Sequence, residues 1–338
     1  MKDQYILGIE SSCDETSAAV LKNGKEILSN IISTQIATHV QYGGVMPEIA
    51  SRLHLENIAY VLDQCFLKAG IKPEQLDAVA VTGKPGLIGA LHIGVLVAKT
   101  IACYYGIPLI NVHHLAGHIY ANEFAGDFHF PLLAIVASGG NSELVYMKDH
   151  LDFQIVGETM DDAIGESLDK VARVLGLPYP GGVAIDKLTK SHDFPLVKLP
   201  KVQVRGYNLS YSGLKSYLIR TIEEEKKANG GALSQERVCE YAFSAEKAFV
   251  DQLVGKALKA AEHYHVKQII MGGGVSANTY LRQEIVRRGK GYEILIPPLW
   301  CTTDNAAMIA KAGAHMYEKK DFASLDFAPS ASAELGHR

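Results

Sequence analysis

The chain has 338 residues, about twice the length of a typical domain, and its 48% hydrophobic content suffices for two buried cores and excludes disorder as the main state. Its 33 basic and 37 acidic side chains leave a net charge of −4, which excludes a bulk nucleic-acid clamp and leaves a local basic stripe open. Five scattered cysteines (Cys13, Cys65, Cys103, Cys239, Cys301) form no C-x-x-C pair, which argues against a disulfide framework or a zinc ribbon and for a reducing compartment.

From the amino terminus, Met1 to Val20 carries Asp3, Glu10, Asp14 and Glu15 where an export signal needs an unbroken apolar stretch. No run reaches the roughly 18 consecutive apolar residues of a membrane span. The expectation is a soluble, cytoplasmic protein with no membrane partner. Tyr5 to Glu10 reads as a strand, Ser11 to Asp14 as a small polar turn, and Thr16 to Leu21 as a return strand.

Asn111 to His118 holds three of the thirteen histidines. If the segment is helical after Asn111, His114 and His118 lie one turn apart and can converge on one metal. Leu115 stands where a metalloprotease needs its glutamate, so that chemistry is excluded.

Leu132 to Ala137, then Ser138-Gly139-Gly140-Asn141, then Leu144 to Met147 repeats the first strand-turn-strand unit, with Ser11 set against Ser138. A helix is predicted at Ile164 to Leu175, with Ile164, Leu168, Val171, Ala172 and Leu175 on one stripe and Gly176 and Pro178 as its stop. Gly181-Gly182 reads as a backbone-donating loop, and Asp169 and Asp186 as either hydroxyl acceptors or solvated carboxylates. Lys187 to Lys227 is rich in Lys, Arg and Tyr and reads as a surface excursion, either a polyanion contact or a solvated face.

Gln268 to Met271 is a predicted strand leading into Gly272-Gly273-Gly274 and a helix from Thr279. That run serves either ligand approach or a tight turn. Neither G-x-G-x-x-G nor the P-loop pattern is present. Asp304 is open between third metal ligand and helix N-cap.

Alternating strands and amphipathic helices with an internal repeat give an α/β chain of two similar domains. We place them at 1–130 and 131–330, with the excursion at 187–227 in the second.

The motifs then occur together in one order: G-I-E-S-S-C-D-E-T at Gly8 to Thr16, Q-Y-G-G-V-M-P-E-I-A-S-R-x-H at Gln41 to His54, H-x-x-G-H at His114 to His118, and S-G-G at Ser138 to Gly140. They continue with D-D-A-x-G-E-x-x-D-K at Asp161 to Lys170, Y-P-G-G at Tyr179 to Gly182, G-G-G-V-x-A-N at Gly272 to Asn278, and T-D-N-A-A-M at Thr303 to Met308. From about Tyr5 to Ala312 this closely resembles the bacterial TsaD family, the tRNA adenosine threonylcarbamoyltransferases.

The resemblance implies two duplicated RNase H-like domains of the actin/Hsp70/sugar-kinase (ASKHA) fold with a cleft between them. It implies an acyltransferase that moves the threonylcarbamoyl group from threonylcarbamoyl-AMP to N6 of the adenosine 3′ of the anticodon, in tRNAs reading codons that begin with A. It assigns His114, His118 and Asp304 to one divalent metal, usually iron(II), with Zn2+ or Mg2+ as alternatives. It assigns Val136, Ala137, Ser138, Gly139, Gly140, Asp169, Gly182, Asp186 and Asn278 to the adenylate. The implied partners are the tRNA anticodon stem-loop, a TsaB-like paralogue and a TsaE-like ATPase.

No catalytic residue is assigned; Asp14 and Glu15 are general-base candidates by position only. Lys84 replaces a family glycine in the T-x-G-P-G-L loop, Asn141 stands where histidine is frequent, and Leu115-Ala116 replaces Met-Glu. The alternatives are a non-catalytic nucleotide- or tRNA-binding scaffold and an ATPase of the same fold.

Overall fold

The computed structural model describes residues 2–190 and 194–336. The chain divides into two compact units. The first comprises Met1–Gly126, His150–Asp152 and Pro297–Arg338, and the second Asp127–Asp149 and Phe153–Ile296.

In chain order the first unit holds β1 (Tyr5–Glu10), β2 (Glu15–Lys22), β3 (Glu26–Thr34), α1 (Ile36–His39), α2 (Pro47–Ala69), β4 (Ala78–Lys84), α3 (Ile88–Tyr105), β5 (Leu109–His113) and α4 (His114–Tyr120). The second holds β6 (Leu132–Ala137), β7 (Ser142–Met147), β8 (Phe153–Glu158), α5 (Ile164–Leu175), α6 (Gly181–Thr189), α7 (Ser212–Ala228), α8 (Gln235–His263), β9 (Gln268–Gly272), α9 (Thr279–Arg288) and β10 (Glu293–Leu295). The chain then returns to the first unit with α10 (Ala306–Glu318).

The first sheet runs β3-β2-β1-β4-β5, antiparallel through the first three strands and parallel from β1 to β4 to β5. The second runs β8-β7-β6-β9-β10 with the same sequence of senses. One topology therefore occurs twice, as the strand-turn-strand repeat predicts.

The central strands β1 and β4 are buried on both faces, which is why they read as nearly unbroken apolar runs. One face packs on α2 and α3 through Leu7, Ile9, Val79, Val81, Ile58, Val61, Val95 and Ala98. The other face receives α10 at a spacing only glycine permits. A Cβ on Gly8 would lie 2.2 Å from the Ala306 carbonyl oxygen, and one on Gly313 would lie 2.5 Å from the Ala80 Cβ. The domain expectation of 131–330 thus differs from the contact units: the last stretch, from Pro297, packs on the first sheet, because α10 needs those small residues to seat it.

In the second unit all five predicted stripe residues of α5 are buried, packed with Leu133, Ile135 and Leu144 of the sheet and Phe249 and Leu253 of α8. Gly176 ends α5 at φ +80°, a conformation suited to glycine. In the predicted excursion, residues 191–193 lie outside the described residues. Lys187, Lys190, Lys198, Lys201 and Arg205 are exposed, while Val197, Leu199 and Val202 lean on the core.

α3 is long and apolar enough to cross a membrane by length and composition alone. Its Val95, Ala98 and Ala102 pack into the first core, as in an interior helix of a folded unit. Among the described residues the five cysteines form no disulfide.

Candidate metal centre and nucleotide-binding loops

The histidine pair is placed by a strand that runs further than its sequence suggests. β5 continues to His113, so the helix starts at His114 rather than after Asn111. His113 caps it: its Nδ1 accepts from the Leu115 amide at 3.2 Å, and its Nε2 donates to the Ala333 carbonyl at 3.2 Å. Burial holds the His113 pKa down at about 4, so the ring stays neutral.

His114 and His118 then lie on the same face of α4, their ring centroids 4.7 Å apart. Gly117 lets that face reach α10, since a Cβ there would fall 2.7 Å from Ile309 Cδ1 and 3.2 Å from Met308 Cγ. Asp304 Oδ1 lies 3.2 Å from His118 Nε2 and 3.5 Å from His114 Nε2. Asp304 is not the N-cap of α10. Asn305 fills that place, accepting from the Met308 amide at 3.1 Å, which leaves the aspartate free for the imidazoles.

The three groups fit a divalent cation. Ligand atoms held at about 2.0–2.2 Å from one ion in a tetrahedron stand about 3.3–3.6 Å apart, close to the two separations above. His118 is fully buried, and neither ring nitrogen makes an aligned hydrogen bond. An imidazole that has exchanged its water for one poorly aligned carboxylate contact is costly unless a ligand takes it.

Glu10, at the end of an apolar strand and fully buried, completes the arrangement. Its Oε2 accepts from His114 Nδ1 at 3.0 Å and from Thr82 Oγ1 at 2.6 Å, and its Oε1 accepts from the Ser12 amide at 2.5 Å. A proton on Nδ1 directs the His114 Nε2 lone pair toward Asp304.

Burial opposes ionisation of Glu10 and Asp304, yet the His114 charge holds Glu10 below its ordinary range, and His114 and His118 hold Asp304 down at about 2. Burial pulls His114 down, and the two carboxylates outweigh it, raising the ring to about 9. Burial keeps His118 below its ordinary value. The buried Glu10 and half-buried Asp304 carboxylates thus demand one positive charge here, a proton or a metal ion.

Of the two base candidates, Glu15 accepts from Thr34 Oγ1 at 3.3 Å, and burial, with the Asp304 and Asp14 charges, raises its carboxyl to about 10. A carboxyl held protonated suits a donor better than a base. Asp14 offers its backbone carbonyl to the Gln35 amide at 3.0 Å.

The residues assigned to the adenylate lie in the second unit, around the carboxyl ends of the parallel strands β6 and β9, the usual ligand edge of such sheets. Val136 and Ala137 close β6. Ser138 to Asn141 forms a turn in which the Ser138 amide donates to the Asn141 carbonyl at 2.9 Å and Ser138 Oγ accepts from the Asn141 amide at 3.1 Å. Gly139 and Gly140 are exposed and would carry a Cβ with nothing within 4 Å. Gly273, at φ +88°, brings the β9 turn against β6, where a Cβ would lie 2.3 Å from the Ala137 carbonyl oxygen.

The remaining residues have structural work already. Asp169, raised by burial, accepts from the Gly182 amide at 2.9 Å. Asp186 receives the Thr279 amide at 2.6 Å and its hydroxyl at 3.0 Å. Asn278 caps α9 through the Leu281 amide and donates to the buried Glu246 at 2.6 Å.

Sequence reading missed Glu10, Gly117 and Glu246. The signal for Glu10 was a carboxylate ending an apolar strand. A second cluster, Glu123, His150 and His315, also has ligand atoms within 4.8 Å of one another, but Lys311 Nζ lies 2.8 Å from Glu123 and supplies its counter-charge.

A family model described as TsaD, tRNA N6-adenosine threonylcarbamoyltransferase, matches residues 26–311. A protein of that name from Bacillus subtilis (strain 168) is 51% identical over 324 residues, 94% of this chain and 92% of the relative. Another from Staphylococcus carnosus (strain TM300) is 51% identical over 323 residues, again 94% of this chain and 92% of the relative. Among solved structures, HypF of T. kodakarensis superposes with a TM-score of 0.61 at 15% identity, covering 94% of this chain and 48% of that one. Component A of the (R)-2-hydroxyglutaryl-CoA dehydratase of Acidaminococcus fermentans gives 0.53 at 17%, covering 94% and 99%. These two likenesses bear on the fold, the duplicated ASKHA architecture.

Proposed function

The chain belongs to the TsaD family of tRNA N6-adenosine threonylcarbamoyltransferases, and from that premise we propose a metal-assisted acyl transfer from threonylcarbamoyl-AMP to the adenosine 3′ of the anticodon. The acceptor N6 forms a bond to the carbamoyl carbonyl carbon, the bond from that carbon to the phosphate oxygen breaks, AMP leaves, and the N6 proton passes to a base not yet assigned. The observation that carries the metal in this reading is the convergence of His114 Nε2, His118 Nε2 and Asp304 Oδ1 in a buried, doubly acidic setting.

Two imidazoles and one carboxylate with room for further ligands suit iron(II), with zinc as the runner-up and magnesium disfavoured by the nitrogen donors. When bound, the ion supplies Lewis-acid polarisation of the acyl carbonyl. Glu10 fixes the His114 tautomer, α4 presents the two histidines, and the segment just before the Asn305 cap of α10 presents Asp304.

In the second unit we assign the exposed Ser138 to Gly140 turn, with Val136 and Ala137 behind it, to the polar atoms of the adenylate, and Asp169, Gly182, Asp186 and Asn278 to the nucleotide. Their present hydrogen bonds hold that edge in shape, and each carboxylate keeps lone pairs for hydroxyls. Exposed Lys187, Lys190, Lys198, Lys201 and Arg205 are assigned to tRNA phosphates. A TsaB-like paralogue and a TsaE-like ATPase are the proposed protein partners.

The test is transfer of labelled threonylcarbamoyl from preformed adenylate to an adenosine-bearing anticodon stem-loop, with both partners supplied and ATP hydrolysis followed in parallel. Label on the RNA that requires iron(II) reconstitution supports the reading. Hydrolysis without labelled RNA would favour the ATPase, and neither product would favour the scaffold.

A further inference from the structure

We propose that Trp300 is a stacking surface for an unpaired purine of the RNA substrate; this rests on the tRNA reading above and goes beyond it. Trp300 is the chain's single tryptophan. It lies in the short helical turn Leu299–Cys301, four residues before the ligand Asp304, and is 44% exposed beside Leu299, itself 65% exposed.

The turn is pinned from below. Cys301 Sγ donates to the Pro298 carbonyl at 3.3 Å and the Ala121 carbonyl at 3.7 Å, and Thr302 Oγ1 donates to the Leu299 carbonyl at 2.9 Å. The Trp300 ring rests on Phe124 at 5.4 Å between centroids. Ala121 and Phe124 follow, by three and six residues, the ligand His118. The indole is therefore tethered on one side to the segment carrying Asp304 and on the other to the segment carrying the histidines. The other exposed aromatics, Tyr42, Tyr60, Tyr104 and Phe322, belong to segments that carry no ligand.

Transfer to an exocyclic amine requires the acceptor base to leave the loop's own stack, and that cost is offset where an aromatic face receives a base. A half-exposed indole pinned between the two ligand-bearing segments provides such a face, and stacking of this kind is worth roughly tenfold in affinity per base.

The test compares wild type, Trp300→Leu and Trp300→Phe in the transfer assay, with the adenosine-bearing stem-loop varied at saturating adenylate. The expected result is a KM for RNA about tenfold higher in W300L with little change in kcat, and recovery of most of the loss in W300F. In wild type, stem-loop retained on the protein is expected to quench the single tryptophan's emission, whereas a perfect duplex of equal length is not. An unchanged KM in W300L, or unchanged emission with stem-loop retained, overturns the proposal. Emission that responds to an added partner protein and not to RNA also overturns it and assigns the face to protein docking. A wild-type chain that neither retains nor labels RNA counts against the tRNA reading itself.

Discussion

Glu10 Oε2 lies 3.0 Å from His114 Nδ1, at the end of a strand whose other residues serve the core. The two are 104 residues apart in the chain. The contact fixes which imidazole nitrogen faces Asp304, so Glu10 is a positioning residue.

Glu10→Gln keeps the volume and one acceptor but removes the charge that favours a proton on Nδ1. We expect metal affinity to fall about 10–100-fold, the range for loss of an outer-shell carboxylate, with the fold retained. Titration of iron(II) or zinc into the metal-stripped variant measures it. Unchanged affinity would mean that Ser12 Oγ, 3.1 Å from the same nitrogen, is sufficient.

Asp304 and Asn305 are neighbours with separable duties. Asp304→Asn removes the anionic ligand and leaves the α10 cap intact, so metal binding and transfer should fall to background with near-native urea stability. Asn305→Ala removes the cap and should cost about 1 kcal/mol of stability while both histidines and the carboxylate remain. If the two variants lose stability alike, Asp304 is also a cap.

Much of this arrangement was legible in the sequence, and what escaped shares a cause. Short apolar runs ending in small residues pointed to the duplicated sheets, and i, i+4 spacing pointed to the histidine pair. The reach of β5 to His113 escaped because its last hydrogen bonds are to β4, and the His113 ring is held by Ala333, 220 residues away. The return of α10 to the first unit escaped because it depends on Gly8 having no side chain. Asp304 stayed ambiguous because cap and ligand have the same local sequence, and only the Asn305 conformation separates them.

Gly8→Ala carries that packing into the site. Its Cβ would sit 2.2 Å from a backbone oxygen of α10, which cannot rotate away. Overpacking of this kind costs about 1–3 kcal/mol, and relief by shifting α10 would move Asp304 from His114 and His118. We expect lowered stability together with weakened metal binding, measured by urea unfolding and metal titration. Lost stability at unchanged metal affinity would show that the strain is taken up elsewhere.

Gly139→Ala tests the second unit in the opposite way. The added methyl meets no protein atom within 4 Å, so stability should change by less than about 0.5 kcal/mol. If the adenylate approaches this backbone, the methyl obstructs it, and the KM for threonylcarbamoyl-AMP should rise about tenfold or more. Equal KM at equal stability would remove the turn from the binding surface.

Asp161 predicts how the second unit responds to acid. Desolvation, the largest single influence, raises its pKa, but the Ser210 and Ser212 hydroxyls at 2.5 and 2.6 Å and the Tyr211 and Ser212 amides at 2.8 and 3.1 Å together outweigh it and hold the carboxyl at about 2. These bonds anchor the start of α7. A folded pKa below the unfolded value near 3.8 means the carboxylate's contribution is complete above about pH 4 and is lost as pH falls through 2. Because Asp161 is exposed, solvent screening reduces the linkage to about 1 kcal/mol. In urea unfolding at successive pH values, the stability gap between wild type and Asp161→Asn should be widest above pH 4 and narrow toward pH 2. A constant gap would mean that the charge is not what secures the helix.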